Sequence, residues 1–268
     1  MEARPAGHAT EVSPTSSPHE VSRAVRATSF GSVAADYDRF RPSPPAEVAD
    51  WLLPAGVQRV ADIGAGTGGF SRVVAARVAT TVAVEFDLRM ARQLVARSPR
   101  VSVVNGRGER LPLRTAGFDA VVASSSWHWL EAAPALLEIA RVLRNGGVLG
   151  VVWGGPDRDV DWVRELLARD VRSDSERQGR RHRLDIPEGT LFGIPETRVI
   201  QWSLPRTPEQ LVGLAGTYSR VITADDTDRH SIASHVAGVI RGHRALQGRA
   251  VLDLPMSARC WRAVRLPR

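Results

Sequence analysis

A glycine-rich turn between two apolar segments limits this chain to a small set of folds. The turn, Gly64-Ala65-Gly66-Thr67-Gly68-Gly69, follows the run Val60-Ala61-Asp62-Ile63, and a second apolar run ends at Glu85. Glycines lack Cβ atoms, so the backbone can bend sharply and lie close to a ligand. The segment predicts a strand, a turn, a helix and a second strand tipped by an acid. In an open α/β sheet, this arrangement holds an adenine nucleoside, with the acid on the ribose diol.

The glycine spacing alone does not decide which nucleoside is bound. Gly64, Gly66 and Gly69 fit the dinucleotide pattern G-x-G-x-x-G, whereas Gly64, Gly66 and Gly68 fit the methyltransferase pattern G-x-G-x-G. Asp62, at the strand end before the turn, would repel a pyrophosphate but attract the ammonium of a methionyl group. This carboxylate favours S-adenosylmethionine as the cofactor, and an NAD-dependent oxidoreductase remains the alternative.

The hydrophobic periodicity predicts one α/β fold of seven strands. Short helices at 33–40 and 46–53 precede it. Strands at 59–63, 81–86, 101–104, 118–123 and 148–153 then alternate with helices at 69–78, 88–97 and 133–143. This alternation predicts a Rossmann-like, mostly parallel sheet with helices on both faces and the ligand at the carboxyl ends of the strands. A strand at 198–204, helices at 208–216 and 226–241, and an antiparallel last strand at 257–264 would complete the sheet.

Two segments lie outside this alternation. Residues 1–28 are rich in Pro, Ser and Thr without apolar periodicity, so we predict a disordered tail, and we assign 29–268 to one domain. Residues 154–197 are polar, Arg-rich and long for a connection, with a helix at 161–171. We interpret them as an insertion or lid over the site.

Composition restricts the compartment and the inorganic chemistry. The chain has 268 residues, 43% of them hydrophobic, and a single cysteine, Cys260. One cysteine allows no intramolecular disulfide and no Cys-x-x-Cys metal site, so we predict a cytoplasmic protein with no metal and with Cys260 in the core. We find no signal-like apolar segment and no run approaching the roughly 20 residues that span a bilayer, so we expect no membrane association.

The positive charge does not by itself indicate nucleic acid. The formal net charge is +7, all 36 basic residues are arginines, and the one dense cluster, 177–183, fits a solvated loop. The predicted fourth strand is followed by Ser124-Ser125-Ser126-Trp127, not by the Asn/Asp-Pro-Pro-Tyr/Phe site of enzymes that methylate exocyclic amines. Cys260 is misplaced for attack on pyrimidine C5. A nucleic-acid methyltransferase is therefore the less favoured alternative.

Several ordered motifs together carry a family resemblance over about residues 28–265. They are Phe30-Gly31, Ala35-Asp36-Tyr37-Asp38-Arg39-Phe40-Arg41-Pro42, the glycine turn with Glu85, Gly106-Arg107-Gly108-Glu109-Arg110-Leu111-Pro112, Phe118-Asp119 through Trp127-His128-Trp129, and Arg141-Val142-Leu143-Arg144-Asn145-Gly146-Gly147. With these motifs the chain resembles class I S-adenosylmethionine-dependent methyltransferases of the type 11 group, which includes trans-aconitate methyltransferase-like proteins.

The resemblance implies a set of cofactor-binding residues. They are Asp62, Gly64, Gly66, Gly68, Glu85, Phe86, Gly108, Glu109 and Ser124. Asp62 and the first two glycines would line the methionyl part, Glu85 would take the ribose hydroxyls, Phe86 would pack on adenine, and Glu109 would recognise the adenine edge. The position of Arg107 holds an acid in many relatives. Arg107 cannot accept a hydrogen bond, so adenine must be read here by Glu109 or by the backbone.

The acceptor side is predicted from the residues around the fourth strand and the N-terminal helix. His128 is the candidate catalytic residue, as general base for a hydroxyl or amine acceptor, whereas a carboxylate acceptor needs no base. Tyr37, Arg41, Trp127 and Trp129 are the candidate substrate or lid residues. We predict methyl transfer to a small molecule by in-line displacement, without specifying an oligomeric state. A non-catalytic S-adenosylmethionine-binding module is a further alternative.

Overall fold

The computed structural model describes residues 31, 34–168, 184–187, 191–222 and 224–267. The predicted tail at 1–28 and the arginine cluster at 177–183 lie outside the described residues. Among the described residues, no helix is both long and apolar enough to cross a membrane. In the same part of the chain, no three or more His, Cys, Asp or Glu side chains come together as a metal site.

Seven strands form one sheet. They are β1 Arg59–Ile63, β2 Thr80–Glu85, β3 Val101–Asn105, β4 Phe118–Ser124, β5 Leu143–Pro156, β6 Glu196–Arg206 and β7 Leu252–Val264. The strand order is β3-β2-β1-β4-β5-β7-β6. The first five strands pair in parallel, and β7 runs antiparallel to both β5 and β6. The predicted Rossmann-like sheet with an antiparallel last strand is thereby confirmed.

Nine helices surround this sheet in the described part of the chain. They are α1 Ala34–Phe40, α2 Ala46–Leu52, α3 Gly69–Ala75, α4 Leu88–Arg97, α5 Ala132–Val142, α6 Asp161–Leu166, α7 Pro208–Gly216, α8 Ser219–Ile222 and α9 Asp226–Gly242. A 3₁₀ turn, Trp127–Trp129, lies between β4 and α5. The helix predicted at 69–78 ends earlier, at Ala75, and the other predicted helices before residue 150 agree within one residue.

Alternate strand residues bury both faces of the sheet. On β4, Val121 belongs to the apolar cluster that contains Ile139 of α5, whereas Val122 belongs to the cluster that contains Leu52 of α2 and Phe70 of α3. Successive side chains of a strand point to opposite faces, so the continuous apolar sequence of β4 reflects helices on both sides. These two layers fix the carboxyl ends of β1, β2 and β4 side by side.

A third apolar cluster joins helices α6, α7 and α9 to the first half of β7. Its strand members are Leu252, Leu254 and Met256. Helix α1 packs on this helical layer where Gly213 of α7 lies against the Phe40 ring, so closely that a Cβ at Gly213 would be 2.6 Å from a ring carbon. The N-terminal helix therefore packs against α7 as well as against α4.

The two largest differences from the predicted strand bounds are the starts of β7 and β5. β7 starts at Leu252 rather than at 257, although Pro255 lacks an N–H. Pro255 pairs with Ser203 of β6, and on its other side it accepts a hydrogen bond from the Asp157 N–H at 2.9 Å, just beyond the last β5 pair at Pro156, so the missing N–H falls where the pairing with β5 ends. β5 starts at Leu143, directly after α5, with an irregular register before Ala120 and Val148 pair.

The predicted insertion at 154–197 is shorter than expected. Residues 154–156 extend β5, and residues 196–197 begin β6. The described part between them includes α6, which ends at Leu166 and packs into the third cluster, not over the glycine turn. Cys260 is fully buried in β7, as predicted, and burial raises the pKa of its thiol to about 12.

Candidate cofactor and substrate site

The glycine turn after β1 depends on three residues in left-handed conformation. Gly64, Gly66 and Gly68 have φ angles of 62°, 59° and 83°. A Cβ at Gly64 would lie 2.6 Å from the Cβ of Ser126, whereas a Cβ at Gly66 would meet nothing within 4 Å. The open side of the turn is therefore at Gly66, where a ligand can approach the backbone. Gly68 differs, because its Cβ direction is occupied by Leu94 of α4, 2.7 Å away.

Glu85 connects the end of β2 to this turn. Its carboxylate accepts a hydrogen bond from the Gly66 N–H at 2.8 Å and another from the Asp87 N–H at 2.8 Å. The side chain is buried, and burial raises the pKa of Glu85 while these two backbone bonds lower it. The sequence prediction that the turn and the acid meet is thus correct as geometry. Each carboxylate oxygen retains a second lone pair, with which it can accept a further hydrogen bond.

Asp62, the other predicted acid, lies at the end of β1 with 1% of its surface exposed. Its Oδ2 accepts a hydrogen bond from the Ser71 hydroxyl at 2.6 Å. Its Oδ1 is buried without a hydrogen-bond partner among the described residues. Burial raises the pKa of Asp62 to about 7, the Ser71 hydroxyl opposes this shift, and the Glu85 carboxylate adds to it. Two neighbouring strands therefore end in buried carboxyls whose charged forms are costly.

The predicted adenine side is formed by the segments after β2 and β3. Phe86 is half-buried, and the Arg107 guanidinium lies 4.8 Å above its ring centroid. Gly108 is buried, and a Cβ there would lie 2.8 Å from Leu130. Glu109 accepts a hydrogen bond from the Glu131 N–H at 2.9 Å, at the residue before α5. In this structure Glu109 therefore links a loop to a helix, and Arg107 covers one face of the aromatic ring.

Strain marks the end of β4, next to the glycine turn. Ser124 ends the strand, and Ser125 has a φ of 52°, a left-handed conformation that non-glycine residues seldom adopt. The Ser125 N–H donates to the Val152 carbonyl at 2.7 Å, and the Ser126 hydroxyl donates to the Ile63 carbonyl at 2.7 Å. These bonds hold the segment against both neighbouring strands and aim the following 3₁₀ turn.

The three residues of that turn have different surroundings. Trp127 is buried, 6% exposed, in the cluster beneath α5, and its place among the substrate or lid residues stays a prediction. The left-handed Ser125 turns the chain so that this first ring enters the core. His128 and Trp129 are half-exposed, with ring centroids 4.7 Å apart. The Trp153 indole N–H donates to His128 Nδ1 at 3.2 Å.

Helix α1 and the following loop lie beside the turn and join it to α7. Asp38, largely buried, forms ion pairs with Arg72 of α3 at 2.8 Å and with Arg97 of α4 at 3.4 Å. Arg41 donates through Nε to the Thr217 hydroxyl at 3.0 Å and through Nη2 to the Thr217 carbonyl at 3.3 Å.

The Arg41 guanidinium also lies between two aromatic rings. It is 4.1 Å from the Tyr218 ring centroid and 5.5 Å from that of Tyr37. The predicted residues Tyr37 and Arg41 therefore lie together with Tyr218. We call this cluster, which connects α1 to the residues after α7, the latch.

Sequence reasoning missed four residues that shape this site. They are Ser71, Ser126, Trp153 and Thr217. Trp153 had a usable signal, because it lies at the carboxyl end of a strand predicted to be parallel, where ligands bind. The other three act through hydrogen bonds to Asp62, Ile63 and Arg41, which lie 9, 63 and 176 residues away, and no local pattern indicates such bonds.

Comparison with known proteins agrees with this geometry. A family model described as a methyltransferase domain matches residues 61–151. An uncharacterized methyltransferase of Mycobacterium tuberculosis is 37% identical over 245 residues, spanning 90% of this chain and 98% of that protein. A malonyl-[acyl-carrier protein] O-methyltransferase of Geobacter sulfurreducens is 34% identical over 137 residues, 47% of this chain and 51% of that protein.

A solved structure of a type II methyltransferase from Anaeromyxobacter dehalogenans is similar with a TM-score of 0.59 and 26% identity, over 85% of this chain and all of that one. These findings favour the methyltransferase interpretation of the glycine turn over the NAD-dependent one. The narrower likeness to trans-aconitate methyltransferase-like proteins stays a prediction. The full-length relative, the fold and the residues that border the turn lead to one assignment: the chain belongs to the class I S-adenosylmethionine-dependent methyltransferases.

Proposed function

We propose that the enzyme holds S-adenosylmethionine over the Gly66 side of the turn and transfers its methyl group to a small-molecule acceptor at the end of β4. Asp62, with the turn glycines, would face the methionyl group, Glu85 the ribose, and Phe86 the adenine. Ser124 borders the bound nucleoside, and His128 and Trp129 border the acceptor.

The observation that carries this proposal is the pair of buried carboxyls at adjacent strand ends. Asp62 has an unpartnered buried oxygen, and the pKa values of both Asp62 and Glu85 are raised mainly by burial. A cationic ligand above them would favour their charged forms, whereas a diphosphate would be repelled. The open backbone at Gly66 leaves room for such a ligand. The residues present therefore fit a sulfonium nucleoside with an ammonium group.

The chain's own contribution to methyl transfer would be alignment and exclusion of water. The cofactor supplies an electrophilic methyl group on a sulfonium, whose departure needs no protonation. The protein must hold the acceptor in line with that methyl and keep water out, which supplies most of the acceleration in such displacements. The latch of Tyr37, Arg41 and Tyr218 would close the N-terminal side of the site.

A small-molecule acceptor is supported by where the arginines are engaged. Ten of the described arginines form ion pairs with carboxylates of this chain, so much of the positive charge is balanced locally. His128 and Trp129 are half-exposed, so both side chains are accessible to a small acceptor. The partial relative from Geobacter, by its name, methylates an oxygen of malonyl-[acyl-carrier protein], and oxygen is the acceptor atom we favour for this chain.

Calorimetric titration with S-adenosylmethionine tests the cofactor part of the proposal. We expect Glu85→Gln to weaken binding at least tenfold, because an amide replaces one anionic acceptor of the ribose hydroxyls. Glu47→Gln is the matched control, since Glu47 is an exposed acid of α2 paired with Arg198, and it should bind like the wild type. Absence of binding by the wild type at high micromolar ligand, or tighter binding of NAD, would refute the cofactor assignment.

Transfer of labelled methyl from the cofactor to a metabolite extract tests the catalytic part. We expect label in low-molecular-mass products, separable from protein and nucleic acid by ultrafiltration and nuclease treatment. A protein that binds the cofactor but labels nothing would be a sensor, which is the non-catalytic alternative. Label in nuclease-sensitive material, with binding that weakens steeply as salt rises, would identify a nucleic-acid methyltransferase instead.

A further inference from the structure

Ser71 carries a fully buried hydroxyl next to the glycine turn. It is the third residue of α3, and 0% of its surface is exposed. Its Oγ donates a hydrogen bond to Oδ2 of Asp62 at 2.6 Å, between residues nine apart in sequence. The left-handed glycines fold the start of α3 back over the end of β1, so that the hydroxyl of the helix reaches the carboxyl of the strand.

This hydrogen bond leaves the two oxygens of the Asp62 carboxyl in different situations. Oδ2 is occupied by Ser71, whereas Oδ1 is buried and has no hydrogen-bond partner among the described residues. The strand neighbours of Asp62 are Ala83 of β2 and Val122 of β4, whose side chains offer no donor. A buried oxygen without a donor is costly, so its retention at this strand end points to a donor that arrives with a ligand.

We infer that Ser71 is a positioning residue of the cofactor site, whose hydroxyl fixes the Asp62 carboxyl so that Oδ1 stays available to the methionyl ammonium. This inference rests on the proposed function, because it concerns the cofactor that we propose to lie above Asp62. The terminal torsion of an aspartate side chain has a broad preference, so the carboxyl would rotate more freely without the hydroxyl. Ser71 thus acts on the cofactor through Asp62.

The hydroxyl also stabilises the charged form of Asp62, which the ammonium requires. Burial raises the pKa of Asp62 to about 7, the Ser71 hydrogen bond lowers it, and Glu85 of β2 raises it. The charge next to Ser71 on α3, that of Arg72, is paired with Asp38 of α1 at 2.8 Å. Ser71 therefore opposes the cost of burying the Asp62 charge. Loss of a hydrogen bond to a charged group should raise the pKa of Asp62 by about one pH unit.

Calorimetric titration with S-adenosylmethionine between pH 6 and pH 8.5 tests this role in Ser71→Ala. The pH below which the affinity falls, called here the affinity midpoint, should be about one unit higher than in the wild type. Ser71→Ala should therefore bind about tenfold more weakly than the wild type at pH 6 and less than about threefold more weakly at pH 8.5. The ratio of the two affinities cancels the titration of the ligand itself. A ratio that is the same at every pH would overturn the inference.

Ser126→Ala is the matched control. The Ser126 hydroxyl donates to the Ile63 carbonyl at 2.7 Å, so this variant removes a hydrogen bond beside the same turn but none from the Asp62 carboxyl. Its affinity midpoint should equal that of the wild type. A shift as large as that of Ser71→Ala would show that loosening the turn is sufficient, and the inference would be wrong.

A double-mutant cycle shows whether Ser71 acts through the carboxylate. In an Asp62→Asn background, the ratio between the proteins with and without Ser71→Ala should be independent of pH, because no charge remains for the hydroxyl to stabilise. A pH-dependent ratio that persists in this background would place the effect of Ser71 on another group and overturn the inference.

Urea unfolding without cofactor separates this inference from the proposed function. In the wild type, the contribution of Asp62 to the free energy of unfolding falls as pH rises and levels off above about pH 7. In Ser71→Ala the fall should continue for about one further pH unit. Ser71→Cys has a side chain of similar size that donates weakly, so it should lie between the two, and it replaces the alanine variant if that protein does not fold.

The two measurements together assign each failure. Parallel unfolding curves for wild type and variant would overturn the inference even in an enzyme that binds S-adenosylmethionine. If the unfolding curves diverge as expected but the wild type does not bind S-adenosylmethionine at any pH, the proposed function is refuted, and with it the cofactor role of Ser71.

Discussion

Replacing Asp62 with asparagine should make the protein more stable at alkaline pH, although the substituted residue lies at the centre of the site. Asp62 is 1% exposed, and burial raises the pKa of its carboxyl from 3.8 to about 7. A difference of about three pH units, at ~1.4 kcal/mol each, makes the charged form in the folded protein ~4 kcal/mol less favourable than in the unfolded chain. Asparagine has a similar shape and never becomes charged.

The direction of the pH dependence follows from which state binds the proton more tightly. Between about pH 4 and pH 7, the folded protein keeps the Asp62 proton while the unfolded chain has released it. The free energy of unfolding therefore falls as pH rises through this range, and the loss is complete above the folded pKa. Between pH 5 and pH 8, Asp62 alone should lower the free energy of unfolding by ~3 kcal/mol. For a domain of this size, that corresponds to a difference in Tm on the order of 10 °C.

Thermal and urea unfolding of wild type and Asp62→Asn at several pH values between 5 and 8 would measure this. The difference between the two curves isolates Asp62 together with its coupling to Glu85, because the surface acids contribute equally to both proteins. Asp50→Asn is the control, since Asp50 is 61% exposed in its pair with Arg77 and its curve should parallel the wild type. If the Asp62→Asn curve also runs parallel to the wild type across this range, the carboxyl does not carry the buried charge that we assign to it.

Three further predictions follow from the same site. S-adenosylmethionine should bind up to tenfold more weakly for each pH unit below 7, because Asp62 is then protonated. Binding near pH 7 should release protons, which calorimetry detects as a binding enthalpy that changes with the ionisation enthalpy of the buffer. Gly68→Ala should lower the free energy of unfolding by about 2–4 kcal/mol, because Gly68 is in a left-handed conformation and an added Cβ would lie 2.7 Å from Leu94. Gly56→Ala is the control, because Gly56 has a similar φ but open space around it, and it should lower the free energy of unfolding by only about 1 kcal/mol. Equal losses in the two variants would contradict this reasoning. Arg41→Ala should speed proteolysis near the first helix and raise the KM of the acceptor while the global Tm changes by only a few degrees; an unchanged KM would remove the latch from the substrate site.

Local sequence signals were sufficient for the strands and helices that surround the glycine turn. The run from Val60 to Glu85 contains its own strand, turn, helix and strand, and each is specified by residues close in sequence. The parallel pairing of the first five strands could be predicted, because helices of this length join successive strands by crossover connections. The start of β7 could not, since Pro255 is tolerated only because β5 has already ended at that level. That condition depends on the length of another strand.

The sequence was sufficient to predict which residues lie near the site, but not which way their side chains point. Glu85 and Gly66 meet as expected, because strand ends of a parallel sheet lie together. The left-handed conformation of Ser125 determines whether an aromatic residue after β4 faces the core or the site. A serine side chain does not indicate such a conformation in the sequence. Trp127 faces the core cluster, and its role as a substrate or lid residue stays a prediction. The hydrogen bond from Trp153 to His128 joins residues 25 apart in sequence, and no local pattern indicates it.

The position of β7 also governs the order in which the molecule can be assembled during translation. In the described part of the chain, β6 pairs with the sheet only through β7, which is synthesised later. A nascent chain that has emerged as far as residue 250 can pair its first five strands. β6 has no strand to pair with until β7, about a dozen residues long, has also emerged. Vectorial synthesis therefore allows the first five strands to pair before β6 and β7 can join the sheet.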